Sequence, residues 1–73
     1  MPKIVSGLEL LKFLSKKGFT VYSQKGSHVK MISLQRKTKT IIPMHKEIST
    51  KTLREIIKQA KLTEEETSEL EKS

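Results

Sequence analysis

The stretch from residue 19 to residue 34 decides the fold: Phe19-Thr20-Val21-Tyr22-Ser23, then Gln24-Lys25-Gly26-Ser27, then His28-Val29-Lys30-Met31-Ile32-Ser33-Leu34. The first segment alternates and is rich in β-prone residues, so it reads as a strand with Phe19 and Val21 facing a core. The second is polar and holds Gly26, which takes positive φ at no steric cost, so it reads as a turn. The third alternates again. Val29 and Met31 face one way, and His28, Lys30, Ile32 and Leu34 the other. Two alternating segments joined by a glycine turn make an antiparallel hairpin.

Working toward the C-terminus, Gln35-Arg36-Lys37-Thr38 is a polar hairpin loop, and Lys39 to Ile42 is a third strand that Pro43 closes or confines to a sheet edge. Residues 44–48 form a linker. Ser49 or Thr50 then caps a helix in which Leu53, Ile56, Ile57 and Ala60 recur at helical spacing. Thr63 with Glu66 forms a capping box that starts a short helix or a frayed acidic tail. Toward the N-terminus, Ser6 and Glu9 form another capping box. The helix they open carries Leu10, Leu11 and Leu14 on one face with Phe13 at its flank, and Gly18 is suited to end it. The order is αβββα with an appendage, an α+β fold. A three-stranded antiparallel sheet would carry both main helices on one face, burying their stripes against Phe19, Val21, Val29 and Met31. The face with His28 and Lys30 would stay open.

The chain has 73 residues, enough for one domain with a thin core. Cysteine is absent, so a disulfide scaffold and a Cys-based zinc site are excluded. No apolar run exceeds two residues, which gives neither a membrane-spanning helix nor a secretory leader and makes the cytoplasm the expected location. The net charge of +7 is a blend. Residues 1–62 hold fourteen Lys or Arg and three acids, a net +11, and residues 63–73 hold five Glu and one Lys, a net −4. A body so basic has polyanions as its natural partners, nucleic acid before membrane because the cations are not confined to one helix face.

The chemistry available is narrow. There is no Asp, so a Ser-His-Asp triad is excluded. A metal site would have to use His28, His45 and Glu47, whose spacing matches no zinc motif, and no metal or cofactor is called for. The acid–base groups on the basic body are His28 and His45. RNA supplies its own nucleophile, the 2′-hydroxyl, so one or two proton-transfer groups plus cations suffice to cleave it, and imidazole suits that work. A lone His at a strand start is ordinarily an inert surface residue. Here Lys25, Gly26 and Ser27 precede it and Lys30 follows, a setting in which a phosphate can meet backbone N–H groups, a hydroxyl and cations together. His45, behind Pro43, either meets the same site or only punctuates the linker.

These residues resemble the HicA family of toxins, which are mRNA interferases. The matching pieces are Ser6-Gly7 with the Leu10, Leu11, Leu14 helix; Gly18-Phe19; the hallmark Lys25-Gly26-Ser27-His28; Pro43-Met44-His45; and Thr52-Leu53-Arg54-Glu55-Ile56. They cover about residues 4–65 in order. Ser23 stands where many members carry Arg, and Lys51 where many carry Gly. The resemblance implies a fold like that of double-stranded-RNA-binding domains, with residues 1–62 as the RNA-binding and nuclease domain and 63–73 as an acidic helix or tail. It also implies metal-independent cleavage of mRNA with His28 as the catalytic residue. Lys25, Gly26, Ser27, Lys30, Arg36, Lys37, Lys39, His45 and Lys46 are the expected substrate-binding residues. The implied partner is a HicB-family antitoxin that masks His28. The alternatives are a non-catalytic double-stranded-RNA binder, which turnover would separate from a nuclease, and a DNA-binding or scaffold subunit.

Overall fold

A computed structural model describes residues 4–72. The order is α1 (Gly7–Lys16), β1 (Thr20–Lys25), β2 (His28–Ser33), β3 (Thr38–Pro43), α2 (Thr50–Gln59) and α3 (Glu64–Lys72). The strands form one antiparallel sheet in the order β1-β2-β3. This is the αβββα layout expected, with the third helix formed. Among the described residues no helix is long and apolar enough to cross a membrane.

Local chemistry explains each helix end. Ser6 caps α1, its hydroxyl accepting from the Glu9 N–H at 3.1 Å while the Glu9 carboxylate accepts from the Ser6 N–H at 3.4 Å. The helix closes on Gly18 at φ +95, with Gly18 N–H donating to the Ser15 carbonyl and Phe19 N–H to that of Leu14. Ser49 caps α2. The same two-bond closure ends α2, from Lys61 to Lys58 and from Leu62 to Ile57, although the left-handed residue is Lys61 (φ 55) rather than glycine. Leu62, partly buried against the core, anchors that turn. Thr63 and Glu66 form their expected capping box at the start of α3.

The register sets two faces. Met31 pairs with Val21 and Thr40, and Val29 with Gln24 and Ile42; these residues face the helices. Lys30 pairs with Ser23 and Ile41, and His28 with Lys25 and Pro43, on the open face. Leu10, Leu14, Met31 and Ile42 are fully enclosed, each contributing about 1.5–3 kcal/mol of burial.

Three features depart from the sequence expectation. Val21 lies on the helix side but is 42% exposed. Helices α1 and α2 pack over β3, leaving the edge strand β1 uncovered, and a bulge at Tyr22 further interrupts its pairing. Leu34 lies in the turn after β2, not in the strand, and is largely exposed. The core also gains Val5, Ile48 and Leu70. Val5 and Ile48 form an isolated antiparallel bridge, Ile48 N–H donating to the Val5 carbonyl at 2.8 Å, and Leu70 brings α3 onto the body.

Candidate functional site

The β1–β2 hairpin closes through Gly26 and Ser27, with Lys25 paired to His28. Gly26 has φ +59, and Ser27 has no positive φ, the pattern of a two-residue turn with glycine first. The turn aims the start of β2, and therefore His28, at one end of the sheet. There His28 lies opposite Pro43, the last residue of β3. Pro43 has no N–H to offer a neighbour, which an edge strand tolerates.

Two backbone bonds then steer the chain after Pro43. Met44 N–H donates to the Ser27 carbonyl at 2.6 Å, extending the pairing beyond the sheet. Gly7 N–H donates to the His45 carbonyl at 2.9 Å. Gly7 permits this approach because it has no side chain. A Cβ there would stand 2.7 Å from Met44 Cα and closer still to the Pro43 carbonyl oxygen. The chain is thereby folded back so that His45 reaches the end of the sheet where His28 begins β2.

The result is an open cleft of about 510 Å³ lined by His28, Ile41, Pro43, His45, Glu47, Ile48, Ser49 and Thr52. Its walls are the open face of the sheet, the linker and the first turn of α2. His28 and His45 are both solvent-exposed. Ser49 Oγ donates to Thr52 Oγ1 at 2.9 Å and accepts from the Thr52 N–H, so the two hydroxyls form one polar edge. Sequence reasoning took Ser49 only as a cap and gave Thr52 no site role. The signal was present: Thr52 is three residues past the cap, the position whose side chain meets the cap residue.

The expected substrate residues divide into two groups. Lys25, Gly26 and Ser27 are exposed beside His28, and Lys30 is half-buried on the same face. Lys46 is exposed in the linker next to His45. Lys39 lies farther along the open face, its ammonium 5.9 Å from the centre of the Tyr22 ring. Arg36 and Lys37 are not gathered with these. They occupy the turn after β2, beyond the far end of a six-residue strand, on the order of 17 Å of extended chain away from His28. Arg36 is moreover engaged. Its guanidinium forks onto the Glu66 carboxylate at 2.8 and 2.5 Å, donates to the Lys61 carbonyl at 3.2 Å, and lies 5.8 Å from the Phe19 ring centre. This geometry makes Arg36 a clamp on α3.

The arrangement brings two imidazoles to one solvent-open cleft beside hydroxyls and lysines. That set can move protons and attract a phosphate. Among the described residues no group of three or more His, Cys, Asp or Glu side chains converges to hold a metal ion.

Comparison with known proteins gives one finding. The family model described as the HicA toxin of bacterial toxin–antitoxin systems matches residues 7–62. No curated protein and no solved structure matches the chain. The family match runs from the first residue of α1 to Leu62, taking in the whole sheet and every residue that lines the cleft, and on that coverage the chain belongs to the HicA toxin family of toxin–antitoxin modules.

Proposed function

We propose that this toxin is an endoribonuclease that cleaves mRNA in the cleft between the sheet and the linker, with His28 as its catalytic base. His28 takes the proton of the 2′-hydroxyl, and the freed oxygen attacks the adjacent phosphorus. Lys25 and Lys30, with the exposed Gly26-Ser27 turn, hold the phosphate and offset charge gathering on it. Lys39 and Lys46 extend the cationic track for the flanking nucleotides, and Lys37 meets RNA only if the strand continues along the sheet. The observation that carries this reading is the Met44–Ser27 backbone bond, which ties the histidine-bearing segments together at one open cleft.

The HicA family match supports a protein partner, and we assign it to a HicB-type antitoxin that covers His28. The setting is the cytoplasm, where mRNA and such a partner meet. The layout of the sheet also suits a binder that reads duplex RNA without cutting it. Turnover distinguishes the two. Purified protein is expected to fragment RNA in the presence of a chelator, and His28→Ala to abolish fragmentation with the thermal melt unchanged. Protection of RNA by the wild type, or full activity in His28→Ala, would refute the catalytic assignment.

A further inference from the structure

We propose that His45 is the second proton-transfer group of the cleft, the acid that protonates the leaving 5′-oxygen while His28 acts on the 2′-hydroxyl; this rests on the ribonuclease reading above.

Cleavage of ordinary RNA by the 2′-hydroxyl involves two proton transfers, one from the entering oxygen and one to the leaving oxygen. The bond from the 2′-oxygen to phosphorus forms as the bond from phosphorus to the 5′-oxygen breaks. The entering and leaving oxygens lie on opposite sides of the phosphorus, so the group that takes the first proton is poorly positioned to deliver the second. His28 begins β2 on the sheet side of the cleft, and His45 comes from the linker that forms another of its walls. A phosphate bound in this cleft is thereby offered an imidazole from each of two chain segments, one for each proton transfer.

The other polar groups of that wall do not fit the task. A carboxylate side chain, as at Glu47, is an acceptor and suits the acid's role poorly. The Ser49 and Thr52 hydroxyls are far too weak as acids to protonate an alkoxide efficiently. His45 is the imidazole of that wall, a side-chain type suited to general acid–base work, and it is exposed in the cleft. The backbone around it is held at two points, Met44 N–H to Ser27 and His45 carbonyl to Gly7, while its side chain is exposed to solvent. The structure spends backbone bonds to aim a side chain that contributes nothing to the core.

The step balances without a co-reactant. His28 gains the 2′-hydroxyl proton, His45 gives one to the 5′-oxygen, and exchange with water restores both. The products are a 2′,3′-cyclic phosphate and a free 5′-hydroxyl.

The test compares two oligoribonucleotides of one sequence, one ordinary and one with sulfur in place of the 5′-oxygen at the cleavage site. A thiolate leaves without being protonated, so the modified substrate needs no acid. His45→Ala is expected to cut the ordinary substrate about 10²–10⁴-fold more slowly than wild type and to recover nearly the wild-type rate on the sulfur-containing one. His28→Ala is expected to fail on both. His45→Gln, which keeps the polar bulk, is measured in parallel, with thermal melts to establish folding. An undiminished rate for His45→Ala on ordinary RNA, or no recovery with sulfur in a folded variant, would overturn the proposal. A wild type that leaves both substrates intact would instead remove the ribonuclease reading, and this assignment with it.

Discussion

The Arg36 guanidinium meets the Glu66 carboxylate in a two-bond fork across thirty residues of sequence, joining the β2–β3 turn to the first turn of α3. The Glu66 side chain is 13% exposed and that of Arg36 22%, so the pair is shielded on most sides. The Arg36 hydrogen bonds hold the Glu66 carboxyl down at about 2 against an ordinary 4.5, with help from the Thr63 N–H and the Arg36 and Lys17 charges and against the opposing effect of burial. A carboxyl whose value is depressed by folding stabilises the fold above its unfolded value, and that stabilisation is lost as pH falls from about 4.5 toward about 2. Glu66→Gln is therefore expected to cost on the order of 1–2 kcal/mol at neutral pH after allowance for solvent screening. The gap between the wild-type and variant melting temperatures should narrow as pH drops through that window. A gap of constant size down to pH about 2 would show that the pair does not carry this linkage.

Leu70 makes the second attachment of α3. It is 1% exposed and belongs to the same core as Val5, Ile48 and Ile56. Truncation of a buried leucine costs about 2–5 kcal/mol, a large share of the stability available to so small a domain. Leu70→Ala should lower the melting temperature sharply, and Leu34→Ala, at an 82% exposed position, should leave it nearly unchanged. Equal effects of the two substitutions would mean that α3 does not share the core.

The hairpin, the capping boxes and the two helical stripes were legible because each is a local pattern: alternation, a cap spacing, a period. Val21 shows the limit. Alternation identifies the side of the sheet a residue faces but not whether a helix covers that part of the sheet, and β1 lies outside the cover. Leu70 shows the converse, one apolar residue in an acidic helix with no stripe to announce it. His28 stood out through its neighbours in sequence. The placing of His45 in the same cleft as His28 did not, because it depends on backbone bonds between segments that no side-chain pattern records. Arg36 is among the expected substrate-binding residues, but its guanidinium is engaged by Glu66, thirty residues on, a pairing that no local pattern announces.

Gly7 links the fold to the site. Its missing side chain lets Pro43, Met44 and His45 pass against the start of α1, and its N–H holds the His45 carbonyl. Elsewhere on a helix, alanine in place of glycine is stabilising by up to about 1 kcal/mol. Here the added methyl meets backbone on the facing segment, which has no rotamer to move away. Overpacking of this kind costs about 1–3 kcal/mol, and the sign of the ordinary helix effect should reverse. The linker would be pushed outward, moving His45 within the cleft that it lines with His28. Gly7→Ala is thus expected to lower both the melting temperature and RNA cleavage, with the cleavage defect persisting well below the melting temperature, where the chain is fully folded. NMR of the histidine side chains should show the His45 resonances moving while those of core residues such as Leu14 and Met31 hold. A folded Gly7→Ala protein with an unmoved His45 would show that the close approach at Gly7 does not position the cleft.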